Sequence, residues 1–327
     1  MKKHRIAWAL LSVFVALAVP AVPAGAQEAY PSKPIRMVVT ATAGGITDIL
    51  ARIVSDAVGR SLGQPMIVDN RPGAGGNIGT EFVVKSPPDG YTIVIVNVGT
   101  IAIQHWISKS TPFDALNDLV PVAPVADGVS IIGMHARLPP KNLREFIDYA
   151  KAAPQKLNYG SAGIGTMPHL SAELFAHMTG AQFVHVPYKG AANAAVDIAS
   201  GEVQIGFIAL GSMRAQIQAG QIRVLAVGGR ERLAALPEVP TFAEAGLPGY
   251  DVTNWFGVFA PKGTPRAIVD TMNSHINRMF DDPSVVKRLQ DGGMLPMRES
   301  ADQFAKRIAA DNLKWRDVVK RAGVTPQ

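Results

Sequence analysis

The sequence has no cysteine among its 327 residues. This absence excludes disulfide bonds, thiol nucleophiles and metal sites built from thiolates. The sequence also has no dense run of lysine and arginine with interleaved aromatic residues, so we expect no nucleic-acid partner. Beyond the N-terminal segment, no apolar stretch approaches the roughly 20 residues that span a bilayer. The chain is therefore expected to fold on its apolar cores alone.

Signatures of cofactor binding and catalysis are missing too. The glycine-rich run Gly73–Ile78 fails the G-x-G-x-x-G pattern at its final position, and neither G-x-x-x-x-G-K-[ST] nor G-x-S-x-G occurs. His169, His177 and His185 are evenly spaced but lack the H-E-x-x-H pattern of a zinc site. We expect His169 in the first turn of a helix, and we expect no cofactor and no metal.

The N-terminus carries the pattern of an export signal. Basic residues at positions 2, 3 and 5 precede an apolar stretch over 6–19, and Ala24-Gly25-Ala26 supplies the small residues of a cleavage site. We predict a signal peptide over 1–26, cleaved after Ala26, and a mature protein in the periplasm. Its removal lowers the net charge from +6 to 29 − 26 = +3, a weak positive balance that suits small anionic ligands.

Strand and helix patterns alternate along the mature chain. Buried strands are predicted at Ile35–Val39, Pro65–Asn70 and Tyr91–Asn97, and the first two are followed by helical periodicity. This βαβαβ succession predicts a first α/β domain with a largely parallel sheet.

The alternation restarts near Ile131, where strands and helices suffice for a second α/β domain. The helical segments Ile268–Phe280 and Phe304–Arg321 are expected to pack back on the first domain. The predicted division is a signal peptide at 1–26, the first part of domain 1 at 27–130, domain 2 at 131–250, and the second part of domain 1 at 251–327.

Three loops are candidates for ligand contact because ligands of open α/β sheets bind beyond the carboxyl ends of the strands. These loops are 44–48, 97–100 and 160–166. Their glycines and the helix N-termini that follow favour an anion such as a carboxylate. Spacing alone, however, favours ordinary turns and helix caps. Tyr188-Lys189-Gly190 is equally compatible with an anion-binding loop and a solvated one.

A series of motifs in fixed order extends from Tyr30 to near Ala322. They are Tyr30–Ile35, Gly44-Gly45-x-x-Asp48, Asn70–Gly79, Pro88–Thr92, Leu157–Ser161, His185–Gly190 and Pro237–Thr241. In the residues of the motifs and in their order, the sequence resembles the Bug-type periplasmic receptors. These are the substrate-binding components of tripartite tricarboxylate transporters.

The resemblance implies a two-domain periplasmic binding protein of type II, a Venus flytrap with a mainly parallel sheet in each domain. It implies a monomer that captures a small organic carboxylate, without catalysis, for integral-membrane transporter subunits. It also implies that the loops 44–48 and 160–166 grip a ligand carboxylate from both sides, partly through water, and that residues 188–190 face the cleft from domain 2. The residues predicted to contact the ligand are Gly44, Gly45, Thr47, Asp48, Asn97, Gly99, Thr100, Ser161, Ala162, Gly163, Thr166, His169, Tyr188, Lys189, Gly190 and Ile208.

Two segments depart from the family pattern. Thr40–Ala43 replaces an aromatic segment, and Ile208 stands where many relatives carry an acid. We expect a wider, less charged pocket that disfavours amino acids and accepts a bulkier, more apolar carboxylate. Two alternatives stay open: a receptor that reports to a sensor kinase, and a hydrolase that pairs Ser161 or Thr166 with His169.

Overall fold

The structure is a computed structural model that describes residues 30–109, 111–153, 155–229, 231–252 and 254–324. The predicted signal peptide and its cleavage site lie outside these ranges. Within them, no helix combines the length and apolar character that crossing a membrane requires.

Strands and helices alternate in the described residues. The strands are β1 (Ile35–Val39), β2 (Met66–Asn70), β3 (Thr92–Asn97), β4 (Leu119–Gly128), β5 (Ser130–His135), β6 (Leu157–Ser161), β7 (Phe183–Pro187), β8 (Ile205–Ala209), β9 (Ile222–Val227), β10 (Trp255–Pro261) and β11 (Met294–Pro296). The helices are α1 (Ile46–Leu62), α2 (Asn77–Val84), α3 (Gln104–Ile107), α4 (Leu143–Ala152), α5 (Met167–Thr179), α6 (Ala191–Ser200), α7 (Leu210–Gln218), α8 (Arg266–Arg278), α9 (Pro283–Asp291) and α10 (Ala301–Arg321).

The strands form two separate sheets. One sheet has six strands in the order β11-β4-β10-β3-β1-β2, and the other has five in the order β7-β6-β8-β5-β9. We call the parts of the molecule built on these sheets domain 1 and domain 2. Domain 1 therefore takes strands from both ends of the described chain.

Both sheets are mixed, which corrects the expectation of mainly parallel sheets. β1 pairs in parallel with β2 and β3, but β10 is antiparallel to both β3 and β4. In domain 2, β6 is parallel to β7 and β8, whereas β5 is antiparallel to β8 and β9. Every antiparallel pair contains β4, β5 or β10, the three strands next to the places where the chain passes from one domain to the other.

The chain crosses between the domains twice, and hydrogen bonds link the two crossings. The first crossing leads from β4 into β5, and the second returns to β10 through Asn254. Gly128 N donates to Asn254 O at 3.1 Å, and Asn254 N donates to Asp127 Oδ1 at 3.0 Å. We call these two linked crossings the hinge.

The long helix α10 packs against the sheet of domain 1. Ser300 and Gln303 form a reciprocal capping box at its first turn, which satisfies two otherwise free N–H groups. Phe304 and Trp315 are fully buried, and Phe304 lies edge-on to Trp255 of β10 at 5.1 Å. These contacts hold the C-terminal helix against the sheet of domain 1.

Candidate functional site

A cavity of about 370 Å³ lies between the domains, beside the hinge. Both domains and the return crossing contribute to its wall. The lining residues are Gly75, Asn97, Gly99, Thr100, Ile103, Gln104, Ile107, Ile164, Gly165, Thr166, Met167, Pro168 and Asn254. These residues include none with a charged side chain, so the cavity recognises its occupant through neutral polar groups and apolar contact.

The wall from domain 1 is built at the carboxyl end of β3. Asn97 Oδ1 accepts a hydrogen bond from Thr100 N at 3.2 Å, and Thr100 Oγ1 donates to Gly75 O at 3.1 Å. The threonine hydroxyl is therefore committed to the protein. The amide Nδ2 of Asn97 donates no hydrogen bond within the described residues, so it is free to donate into the cavity.

The wall from domain 2 is the N-terminus of α5. Thr166 Oγ1 donates to Gly163 O at 2.6 Å and makes no cap bond to the helix. The N–H groups of Met167 and His169 lie in the first turn, where a helix provides no acceptor for them. This end of α5 therefore attracts an anion.

The two walls come into contact at one edge of the cavity. Gly165 has a φ of +74°, and a methyl group built on it would lie only 2.8 Å from Ile107 Cδ1 of α3. Ile103, Ile164 and Met167 extend this apolar side. The cavity therefore has a polar end near Asn97 and an apolar side suited to a hydrocarbon group.

Two stacked imidazoles pack against the loop 160–166 and hydrogen-bond to it. Their ring centroids, in His169 and His185, lie 4.1 Å apart with an interplanar angle of 5°. Gly165 N donates to His169 Nδ1 at 2.9 Å, and His185 Nε2 lies 2.6 Å from Ser161 Oγ. Burial lowers the pKa of each imidazole to about 4, so both are neutral at pH 7. Only a neutral His169 can accept the Gly165 hydrogen bond.

This arrangement differs from the serine–histidine pair of the hydrolase alternative. Ser161 is completely buried, and it lies against His185 instead of His169. Its Oγ also accepts a hydrogen bond from Gly163 N at 3.1 Å. A nucleophile must reach its substrate, so Ser161 in this position braces the loop instead of presenting its hydroxyl to the cavity.

The loop 44–48 lies at the same edge of domain 1 but outside the cavity wall. Asp48 is almost fully buried; its carboxylate accepts hydrogen bonds from Gly44 N (2.9 Å), Arg52 Nε (2.9 Å) and Asn70 Nδ2 (3.0 Å). The hydrogen bond from Arg52 is the main cause that lowers the pKa of Asp48 to about 2. Asp48 therefore holds the loop as a permanent anion; Gly45 is the N-cap of α1, and Thr47 lies in its first turn.

The segment 188–190 borders the loop 160–166 but does not line the cavity. Tyr188 N donates to Ser161 O at 3.1 Å, and the phenol donates to Asp197 Oδ2 at 2.7 Å. Burial raises the pKa of Tyr188 to about 12. Lys189 is exposed, and Gly190 precedes α6. Of the predicted contact residues, the structure places Asn97, Gly99, Thr100 and Thr166 on the cavity wall.

Ile208 is a correction to the prediction. Its side chain is fully buried in an apolar cluster with Val129, Ile131 and Met213, and it does not reach the cavity. Phe207 is buried on the opposite face, 5.0 Å from the ring of Phe175. Because strand residues alternate between faces, both positions face cores. The expectation that residue 208 sets the charge of the pocket is therefore wrong for this arrangement.

Sequence reasoning missed several residues of the cavity wall. Asn254 lies in the return crossing, and Gln104 and Ile107 lie on the short helix α3. No motif marks these positions; the order of the strands alone brings the return crossing to the cavity. Within the described part of the chain, no three His, Asp or Glu side chains are grouped so as to hold a metal ion.

Comparisons with known proteins agree with this architecture. The family model described as "Tripartite tricarboxylate transporter family receptor" matches residues 50–324. The chain is similar to the protein BugT of Bordetella pertussis, with 36% identity over 316 residues, covering 96% of this chain and 97% of BugT. It is also similar to a protein from the tcbD-tcbE intergenic region of Pseudomonas sp. strain P51, with 36% identity over 95% of this chain and 92% of that protein.

Solved structures show the same fold. An R. palustris protein with adipate has 36% identity and a TM-score of 0.75, covering 91% of this chain and 100% of that chain. MatC from Rhodopseudomonas palustris, with bound malate, has 30% identity and a TM-score of 0.70, covering 89% and 100%. These matches confirm the predicted two-domain α/β fold of periplasmic binding proteins. The chain therefore belongs to the family of tripartite tricarboxylate transporter receptors.

Proposed function

We propose that this protein captures a small organic carboxylate in the cavity between its domains and delivers it to integral-membrane transporter subunits, without catalysing a reaction. The observation that carries the proposal is the wall of neutral donors, the Asn97 amide and the first turn of α5, facing an apolar side. Two similar proteins were solved with adipate and with malate, and both of these ligands are carboxylic acids. In this proposal the protein acts in the periplasm as a monomer, after its signal peptide has been cleaved off behind Ala26.

The lining of the cavity also indicates which acids fit. No carboxylate lines the wall, so an ammonium group would lose its water without gaining an anionic partner. The side formed by Ile103, Ile107 and Met167 can cover a hydrocarbon chain or ring. We therefore propose an acid without an amino group and with a substantial apolar part.

The first test is thermal unfolding of the mature protein with di-, tri- and aromatic carboxylates and with amino acids. A ligand at about 100 times its dissociation constant stabilises the folded state by roughly 2.7 kcal/mol, which raises the midpoint by several degrees. A shift with an unaminated acid supports the proposal. Tighter binding of aspartate or glutamate than of any unaminated acid contradicts the proposed ligand class.

Asn97→Asp gives a sharper test of the site. The new carboxylate keeps the oxygen that accepts from Thr100 N, but it replaces the donor amide with a negative charge. We expect the affinity for the acid to fall by at least about tenfold, which is about 1.4 kcal/mol. Gln182→Glu is the matched control because it adds the same charge before β7, at the opposite edge of domain 2. Equal affinity in the two variants would place the ligand elsewhere.

A further inference from the structure

The hinge contains a carboxylate without a cation partner. Asp127 lies near the end of β4, opposite Trp255 of β10 and Leu295 of β11, and only 7% of its surface is exposed. Its Oδ1 accepts a hydrogen bond from Asn254 N at 3.0 Å. No lysine, arginine or histidine of the described ranges forms an ion pair with it. A buried carboxylate in this position is costly to ionise.

The charged groups around Asp127 do not supply the missing cation. The return crossing contributes Asp251, and α10 contributes Arg307 and Asp311. Arg307 already pairs with Glu299, and Asp311 pairs with Lys314 at 2.7 Å. The neighbours on β10 and β11 carry no charge.

Burial is the main cause that raises the pKa of Asp127 to about 7. The carboxylates of Asp251 and Asp311 raise it further, whereas the Asn254 N–H and the guanidinium of Arg307 oppose the shift. Asp127 thus exchanges its proton near neutral pH, unlike an exposed aspartate, whose pKa is about 3.9.

Asn254 connects this carboxylate with the cavity. Its backbone N–H donates to Asp127, and the residue also lines the cavity; its side-chain Oδ1 is buried and has no hydrogen-bond partner in the described residues. An anionic ligand touching Asn254 brings a second negative charge against a residue that is hydrogen-bonded to Asp127. Like charges at short range favour the protonated form of the weaker acid.

We propose that this protein takes up a proton at Asp127 when it captures its anionic ligand, so that carboxylate and proton bind together. The inference rests on the proposed function, since it requires an anion in the cavity. The proton comes from the solvent and neutralises Asp127, and no bond of the ligand is made or broken. The proton cancels one negative charge, so the net negative charge gained by the protein on binding is smaller than the charge of the ligand.

The expected pH dependence has a definite sign. Below pH 7, Asp127 is protonated with and without ligand, so the dissociation constant does not change with pH. Above pH 7, the free protein loses this proton and the complex retains it, so the dissociation constant rises by up to about tenfold per pH unit. The carboxyl groups of the ligand ionise below pH 7, and the buried imidazoles of His169 and His185 are neutral there, so neither titrates in this range.

Isothermal titration calorimetry at pH 8, in two buffers with different ionisation enthalpies, measures the proton uptake directly in the wild-type protein. The probe is the acid that gives the largest thermal shift. We expect uptake of about half a proton to one proton per ligand. Asp127→Asn should abolish this uptake and flatten the affinity between pH 6.5 and 8.5, whereas the exposed Asp291→Asn should leave both unchanged.

The wild-type measurement decides the inference even if Asp127→Asn fails to fold. Binding with no proton uptake at pH 8 and a constant affinity from pH 6 to 9 would overturn it and leave the proposed function standing. Unchanged uptake in a folded Asp127→Asn protein would overturn the assignment to Asp127. Absence of binding by every acid at every pH would overturn the proposed function, and the inference with it.

Discussion

At the scale of single residues, the stacked imidazoles connect the stability of the protein to pH. The pKa values of His169 and His185 are about 4 in the folded protein, below the value of about 6.5 expected in the unfolded chain. Between these values the unfolded chain binds more protons, so we expect the free energy of unfolding to decrease as the pH falls from 6.5 to 4. Denaturant unfolding at several pH values measures this change.

One variant separates the effect of the imidazoles on the free energy of unfolding from the effect of the carboxylates, which also titrate in acid. His169→Gln keeps a side-chain acceptor for Gly165 N, but it cannot gain the histidine proton. The loss of stability between pH 6.5 and 5 should be smaller in this variant than in the wild-type protein. His177→Gln, which changes a histidine in the last turn of the same helix, shows what the loss of an imidazole outside this pair does to the slope. Identical slopes in all three proteins would contradict the prediction.

Ser161 gives a second prediction at this scale. Ser161→Ala removes the oxygen that contacts both His185 Nε2 and Gly163 N, and it leaves these buried groups without a partner. We expect the free energy of unfolding to fall by about 1–3 kcal/mol. Ser200→Ala, at the exposed end of α6, should change it by less than about 0.5 kcal/mol. A Ser161→Ala protein as stable as the wild type would show that the hydroxyl does not brace the loop.

At the scale of elements, β10 and α10 pack too closely for any side chain at Gly257. A methyl group there would overlap the ring of Phe304, which is itself fully buried. Overpacking of this kind costs about 1–3 kcal/mol, so we expect Gly257→Ala to lower the midpoint of thermal unfolding. Gly211→Ala, in α7, meets only an ordinary contact with Gly292 O at 3.6 Å and should be neutral or stabilising. Equal midpoints for the two variants would refute this packing argument.

The elements also show how far the sequence could be interpreted alone. Hydrophobic periodicity predicted β1–β3 and the C-terminal helices, because each presents its apolar residues at a regular spacing. It did not predict β4, whose Pro121 and Pro124 are typical of edge strands or bulges. The structure accommodates both prolines where the register with β10 shifts, opposite Phe259 and Gly257.

The candidate site was predictable in part for a related reason. Loops that directly follow strands, such as Asn97–Thr100, can be located from the strands themselves. Asn254 could not, because it reaches the cavity only through the placement of β10 between β3 and β4. Ile208 was misplaced because motif position does not reveal which face of a strand is buried.

At the scale of the whole molecule, ligand capture should bring the domains together about the hinge. We expect the radius of gyration of the mature protein, measured by small-angle X-ray scattering, to decrease when the bound acid saturates it. At the same concentration of acid, Asn97→Asp should show little decrease, because it binds weakly, and Gln182→Glu should match the wild type. An unchanged radius in the saturated wild-type protein would contradict closure.

The strand order of domain 1 has a consequence for how the chain folds. β10 lies between β3 and β4, yet it follows them in the chain only after the whole of domain 2. A chain that has emerged only to the end of β9 therefore has a complete second sheet but leaves β3 and β4 with open edges. Domain 2 can fold first as a continuous unit, and domain 1 is completed last. A chain that stops before β10 would keep a foldable domain 2 and leave domain 1 unfinished, although the first four strands of domain 1 are synthesised before any strand of domain 2.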